Sequence, residues 1–288
     1  MNALAFLSTS QLKDYSKNGF LVVKNFFDSQ KVSLLKNAIH SIVDSFNMEE
    51  VSIFSTKSQV EKTNTYFLES SSKISCFFEE DAFNTQGILD ADKHKAINKV
   101  GHALHDLDPT FQSVSYTQSL TNLTKDLGYI RPLIVQSQYI FKQPKIGGVV
   151  NPHMDATFLF TDPVSCIGIW IALEDATINN GCLYAIPGSH LKYALSKRFV
   201  RDISKYGYTD FIAISQTIEN WDLNSMVPLE VKKGDMVLLH GKCVHMSYEN
   251  KSEQSRHAYV MHLVEGNLPW DRLNWLQRTQ DFLFTSLF

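Results

Sequence analysis

Asn151-Pro152-His153-Met154-Asp155, and much further on Gly234-Asp235-Met236-Val237-Leu238-Leu239-His240 leading to His245, are the stretches whose reading decides the fold. Side chains of an extended chain alternate with period two, so His153 and Asp155 share one face. Asn151-Pro152 marks the mouth of a loop, where functional side chains concentrate. The second stretch is a turn entering an apolar strand, which puts His245 at a strand end. Arg256 follows eleven residues later and opens another strand-like run, Ala258-Tyr259-Val260-Met261-His262-Leu263-Val264. Four chemistry-bearing residues at successive strand ends predict a double-stranded β-helix (jelly-roll, cupin-like) core. The fold class is therefore mainly β with flanking helices.

A His-x-Asp triplet is weak by itself in a chain with ten histidines. The combination says more. Two imidazoles and one carboxylate, His153, Asp155 and His245, can hold one face of Fe(II) and leave the opposite positions open. Arg256 offers two parallel N–H donors matched to the far carboxylate of a dicarboxylic cosubstrate. Together they point to an oxygenase using Fe(II), 2-oxoglutarate and O2.

Composition restricts the partners. The formal net charge of -3 leaves no basic footprint for nucleic acid or an anionic membrane, so a small-molecule substrate is expected. Met1-Asn2-Ala3-Leu4-Ala5-Phe6-Leu7 lacks the basic start of a signal peptide, and no apolar run is long enough to span a bilayer. Ser286-Leu287-Phe288 is not the Ser-Lys-Leu peroxisomal address, so a cytoplasmic location is expected. Cys76, Cys166, Cys182 and Cys243 lack paired short spacing, which argues for reduced buried thiols rather than disulfides or a zinc knuckle. Cys243, two residues before His245, is an oxidation-sensitive candidate or simple packing.

Along the chain, helices come first and strands second. Ser8 can cap a helix that stops at Asn18-Gly19, with a strand at Phe20-Leu21-Val22-Val23. Asp28 caps a second helix whose Val32, Leu35, Ile39, Ile42, Val43 and Phe46 follow one face. Within the polar segment 48–92, Tyr66-Phe67-Leu68 and Cys76-Phe77-Phe78 read as short strands of a hairpin. Helices are expected over Lys93–Leu107 and Phe111–Leu127, the latter stopped by Gly128. Strands are expected at 133–142, 149–155, 166–173, 182–186, 228–239 and 256–265, spacing that favours a sandwich or barrel. Residues 191–228 form a long insertion, the kind that serves as a lid or substrate-binding element. No repeat or linker interrupts residues 1–288, which are expected to form a single domain, N-terminal helices 8–127 packed on a jelly-roll core 131–265. Phe77, Phe78, Phe158 and Phe160 could wall an apolar pocket or be ordinary core.

The His153/Asp155, His245 and Arg256 set, with Asn180-Gly181-Cys182-Leu183-Tyr184-Ala185-Ile186-Pro187-Gly188-Ser189-His190, resembles the phytanoyl-CoA dioxygenase family. The likeness extends through Asn98–His105, Tyr139–Pro144 and Asn274-Trp275-Leu276, nearly the whole chain. It implies Fe(II), 2-oxoglutarate and O2, with release of succinate and CO2 on hydroxylation of a C–H bond. It does not imply the phytanoyl-CoA substrate. By this resemblance Lys99, Gln138, Trp170 and Ser247 join Arg256 as cosubstrate-contacting residues. Residues alone would make Lys99 a solvated helix lysine and Trp170 a core tryptophan. His190 is expected to order its loop rather than bind metal; His102 and His105 are read as packing or entrance residues, and His257 as pointing away from the pocket.

Asp155 favours hydroxylation over halogenation, because the resemblance implies a small residue there in halogenating relatives. Two other classes stay open on the residues themselves. A zinc hydrolase could use the same triad but leaves Arg256 and Lys99 idle, and a jelly-roll binding module would need no turnover at all.

Overall fold

The computed structural model describes residues 5–47, 52–54, 64–86, 89 and 91–288. Helix α1 (Thr9–Asn18) begins where Ser8 Oγ accepts from the Gln11 N–H while the Gln11 side chain accepts from the Ser8 N–H. It ends at Gly19, whose φ of 78° suits a residue without Cβ. After β1 (Phe20–Val23), Asp28 caps α2 (Ser29–Ser45), which buries Val32, Leu35, Ile39 and Val43 along one stripe. These elements fall where the pattern predicts them.

β2 (Ile53–Phe54), β3 (Ile74–Glu79) and β4 (Ile97–His102) precede the core strands β5 (Pro132–Ile140), β6 (Val150–His153), β7 (Ile167–Ala172) and β8 (Leu183–Ala185). β9 (Lys197–Arg201) and β10 (Thr209–Ala213) form a separate hairpin within the 191–228 insertion. β11 (Val227–Leu229), β12 (Met236–His240), β13 (His245–Ser247) and β14 (Ala258–Glu265) complete the set. Eight of these strands build the jelly roll. Its major sheet runs β12-β7-β14-β5, and its minor sheet β11-β8-β13-β6, all antiparallel. β1 extends one edge of the major sheet, while β4, β3 and β2 extend the other.

Alternation explains how one sheet serves two compartments. Ile167, Ile169 and Ile171 of β7, Met236 and Leu238 of β12, and Tyr259, Met261 and Leu263 of β14 face the helices in one apolar core. Their sequence neighbours Trp170, Val237, Leu239 and Val260 face the space between the two sheets. The helices on the outer face contribute Leu35, Leu104, Phe111, Leu120 and Leu123 to the first core.

Several sequence expectations are corrected. Lys93–Leu107 is not one helix but a turn of helix over Lys93–Ala96, then β4, then a second turn over Leu104–Leu107. β4 is hydrogen-bonded to β3 on one side and β5 on the other, and that pairing overrides helical periodicity. The expected helix Phe111–Leu127 is two helices, Pro109–Ser115 and Gln118–Asp126, because Thr117 starts a new helix by accepting from the Leu120 N–H. Tyr66-Phe67-Leu68 lies in a short helix, Thr65–Glu69, capped by Asn64. The hairpin expected in 48–92 is absent among the described residues: β3 pairs with β4, and parts of that segment lie outside the described residues. The N-terminal region is thus a layer of helices together with four sheet strands. All four cysteines are buried and free. No helix among the described residues is long and apolar enough to cross a membrane.

Candidate active site

His153 closes β6 and His245 opens β13, and the two are directly paired across the minor sheet. Immediately after β6 the chain enters a 3₁₀ turn, Asp155–Thr157, whose Ala156 N–H donates to Gly241 O at 2.9 Å. That turn brings Asp155 Oδ1 to 3.5 Å from His153 Nε2 and 3.6 Å from His245 Nε2. The imidazole ring centres are 4.2 Å apart.

The ring tautomers follow from the backbone. A carbonyl oxygen can only accept, so His153 Nδ1–H donates to Asn151 O (2.8 Å) and His245 Nδ1–H donates to Cys243 O (2.9 Å). In the neutral rings both Nε2 atoms then carry bare lone pairs, and both face Asp155 Oδ1. Three electron-pair donors converge on one point, which is a cradle for a cation. Burial works against a charge on Asp155, but His245, His262 and His153 outweigh it and hold the carboxyl well below its usual range. Burial, with the neighbouring His153, pushes His245 down to about 4; for His153, burial opposes protonation but the Asp155 hydrogen bond and charge prevail, so its pKa is raised.

Asp155 is positioned from behind. Its Oδ2 is buried without a hydrogen bond of normal geometry among the described residues and lies 3.4 Å from His262 Nε2. The Gln136 amide donates to His262 Nδ1 at 3.2 Å, which leaves Nε2–H facing the carboxylate. Gly168 stands opposite: a Cβ there would come within 2.8 Å of Asp155 Oδ2.

A second polar centre lies deeper in the same cavity. Arg256 is 1% exposed, donates Nε–H to Gly181 O at 3.1 Å, and leaves Nη1 buried without a partner among the described residues. Its guanidinium carbon sits 5.1 Å from the Trp170 ring centre. Ser247 Oγ accepts from Lys142 Nζ at 2.8 Å, and the same ammonium donates to Gly148 O at 2.7 Å. Burial pushes Arg256 down to about 10; burial, then the nearby Arg256 charge, pushes Lys142 well below its ordinary value. Neither cation has an ion-pair partner among the described residues, a costly arrangement unless an anion binds there. Lys99 is buried on β4, 5.5 Å from the Phe77 ring centre, and burial pushes it down to about 7. It is a strand residue rather than a solvated helix lysine. Gln138 and Trp170 line the same cavity from β5 and β7.

The cavity has a volume of about 860 Å³ and is walled outward by Phe158, Leu159, Phe211 and Trp221. Phe211 and Trp221 come from the 191–228 insertion, which therefore reaches the cavity. Of the four phenylalanines considered as walls only Phe158 lines it. Phe78 belongs to the core behind the sheet, Phe77 lies under Lys99, and Phe160 lies under Arg198. Cys243 packs on Ser189, and burial pushes its thiol up to about 12, so it is core rather than an exposed oxidisable group. His190 Nε2–H donates to Ser16 O in α1 rather than facing the triad, and His257 pairs with Tyr139. As a carbonyl only accepts, His190 Nε2 is the donor. His102 lines the cavity, whereas His105 is fully buried on Ser137.

Sequence reasoning missed two residues, His262 and Lys142. The signal for His262 was present: Arg256, Ala258, Val260 and His262 alternate on one face of the final strand, and Arg256, Val260 and His262 all line the cavity. Lys142 carried a comparable signal: Gln136, Gln138, Ile140 and Lys142 follow period two and all line the cavity, although β5 itself ends at Ile140.

The profile of the family described as phytanoyl-CoA dioxygenase matches residues 15–258. The chain is 44% identical over 281 residues to "Phytanoyl-CoA dioxygenase" of Arabidopsis thaliana, covering 97% of each chain. It is 42% identical over 294 residues to "Phytanoyl-CoA dioxygenase domain-containing protein 1" of Rattus norvegicus, covering 99% of this chain and 100% of the relative. Among solved structures it is similar to an iron-bound EctD from S. alaskensis (TM-score 0.64, 16% identity, covering 97% of this chain and 84% of that one). It is also similar to the non-heme alpha ketoglutarate dependent carbocyclase SnoK from nogalamycin biosynthesis (TM-score 0.62, 17% identity, 94% and 90% covered). At such identities these two likenesses speak for the fold.

Proposed function

The chain belongs to the phytanoyl-CoA dioxygenase family, and on that premise we propose that it is an iron- and 2-oxoglutarate-dependent dioxygenase that hydroxylates a C–H bond of a small or lipophilic substrate. The observation that carries this reading is the convergence of His153 Nε2, His245 Nε2 and Asp155 Oδ1, with both Nδ1 atoms committed to backbone carbonyls. This donor set fits Fe(II), and three protein ligands leave positions for exogenous groups. When bound, iron with 2-oxoglutarate and O2 supplies the oxidising power, and succinate and CO2 leave as co-products.

The chain's own residues do the positioning. Arg256 Nη1, the Ser247 hydroxyl and Lys142 present donors and positive charge to the distal carboxylate of the cosubstrate. Trp170 packs beside the guanidinium and keeps water from it. Lys99 adds a buried amine on the neighbouring strand, and Gln138 a polar wall. His262, oriented by Gln136, holds Asp155 in its binding direction through the second carboxylate oxygen. Phe158, Phe211 and Trp221 offer an apolar surface to the substrate. The carboxylate of Asp155 favours hydroxylation over halogenation. Two buried cations with no ion-pair partner among the described residues, Arg256 and Lys142, weigh against a zinc hydrolase, which has no use for them.

The test is succinate formation from 2-oxoglutarate with added Fe(II) under air, including the slow reaction without substrate. Succinate that depends on both iron and His245 supports the reading. A purified, folded chain that binds neither iron nor 2-oxoglutarate overturns it.

A further inference from the structure

A second set of metal-type donors lies away from the cavity. His40 and Asp44 stand four residues apart on α2 and therefore on one helix face, with His40 Nδ1 3.9 Å from Asp44 Oδ2. The helical turn Lys93–Ala96 lays His94 against both. His94 Nδ1 is 3.0 Å from His40 Nδ1, and its Nε2 is 2.7 Å from Asp44 Oδ1. One nitrogen of each ring and one carboxylate oxygen lie within 4.8 Å of one another. Donors about 2.1 Å from a shared cation stand roughly 3.0–3.4 Å apart. The two imidazole Nδ1 atoms already have that spacing, whereas Asp44 Oδ2 stands 3.9 Å from His40 Nδ1 and the carboxylate must exchange its bond to His94 Nε2 for the cation.

The same atoms form a hydrogen-bonded chain. The carboxylate only accepts, so His94 Nε2–H donates to Asp44, and in the neutral ring Nδ1 then accepts from His40 Nδ1–H. The neighbouring Lys93 ammonium is occupied by the main-chain carbonyl of Asp44, at 2.6 Å. The side chains of His40, Asp44 and His94 are 64%, 59% and 24% exposed, so water can fill the remaining positions of a cation.

We propose that His40, Asp44 and His94 form a second, structural site for a borderline divalent cation, of which Zn²⁺ is the representative. Two imidazoles and one carboxylate suit Zn²⁺ rather than Mg²⁺ or Ca²⁺, which prefer oxygen donors. The site joins two separate elements. α2 packs on the sheet through Leu35, Ile39 and Val43, whereas His94 stands at the entry to β4, the strand that carries Lys99. Gln143, next to Lys142, donates to the main-chain carbonyls of His94 at 2.6 Å and Ile97 at 3.1 Å. A bound cation therefore fastens the outer helix to the strand edge beside the cavity. Nothing in this proposal depends on the iron reading.

The test uses the full-length chain carrying His153→Ala and His245→Ala, so that the cavity triad does not compete. Zn²⁺ is titrated against a chromophoric chelator, and thermal unfolding is followed with and without Zn²⁺. One Zn²⁺ per chain is expected, with Kd on the order of micromolar, and a Zn²⁺-dependent rise in Tm. Adding His94→Ala should weaken binding by more than about tenfold, since loss of a ligand exceeds loss of an outer hydrogen-bond partner. The Tm rise should vanish with it. His94 is a partly exposed surface residue, so circular dichroism should stay native. Absence of Zn²⁺ binding, or binding and a Tm rise unchanged by His94→Ala, overturns the proposal.

Discussion

Gly168→Ala is the sharpest probe of how the cavity positions Asp155. Gly168 lies on β7 between Leu239 of β12 and His262 of β14 and lines the cavity. A Cβ at this position would lie 2.8 Å from Asp155 Oδ2, 3.5 Å from Leu239 Cβ and 3.7 Å from His262 Cδ2. The last two are ordinary contacts, so the carboxylate must give by about 0.6 Å to reach the roughly 3.4 Å of a normal contact. That displacement acts on a ligand whose other oxygen is 3.5–3.6 Å from the two Nε2 atoms. Disturbing the groups that orient a metal ligand typically costs about 10–100-fold in metal affinity, so iron affinity should fall by roughly that factor. Stability should fall by no more than about 2.5 kcal/mol, because overpacking costs about 1–3 kcal/mol and the gain of Ala over Gly in a strand returns roughly 0.5–1 kcal/mol of it. The assay is anaerobic Fe(II) titration alongside urea unfolding. A folded Gly168→Ala protein with undiminished iron affinity would refute the claim that this glycine makes room for Asp155.

Further outcomes are expected. His245→Ala should abolish iron binding and succinate formation while leaving the β core folded, as checked by metal analysis and near-UV circular dichroism; retained turnover would show the triad to be misassigned. Arg256→Lys should weaken 2-oxoglutarate binding with iron affinity nearly unchanged, and Arg256→Ala should weaken it further, by the roughly 2–5 kcal/mol typical of breaking a buried charged pair; separate isotherms for metal and cosubstrate decide this. Lys142→Met should lower 2-oxoglutarate affinity by about 10–100-fold, the worth of a buried hydrogen bond to a charged group, and an unchanged isotherm would confine Lys142 to holding Ser247 and Gly148. For pH, burial, then His190 and Lys242, pushes His240 down to about 4 from an ordinary value near 6.5. Protonation thus favours the unfolded chain: the contribution is complete above about pH 6.5 and is lost as pH falls toward 4. The urea midpoint should decline over that window, and less steeply in His240→Gln.

The triad was legible because metal chemistry restricts residue types and strand geometry restricts spacing. His153, Asp155 and His245 do come together, the two histidines at strand ends and Asp155 in the 3₁₀ turn that follows β6. Capping chemistry likewise located α1 and α2 almost to the residue, since Ser8 and Asp28 act on amides only three positions away. The insertion could be flagged as a substrate element, but which of its residues reach the cavity could not be read.

The sequence by itself thus determined the local quantities: caps, alternation, and the run of short strands that close a jelly roll. Tertiary structure decided the identity of β4, whose Ile97–His102 is a strand because β3 and β5 lie on either side to take its backbone hydrogen bonds. It also decided the burial of Lys99, the approach of Lys142 to Ser247, and the support of Asp155 by His262 and Gly168. Each of these joins residues far apart in the chain. Local propensity has a range of a few residues, whereas a strand's partners and a charge's desolvation are set by whatever the rest of the fold places beside it.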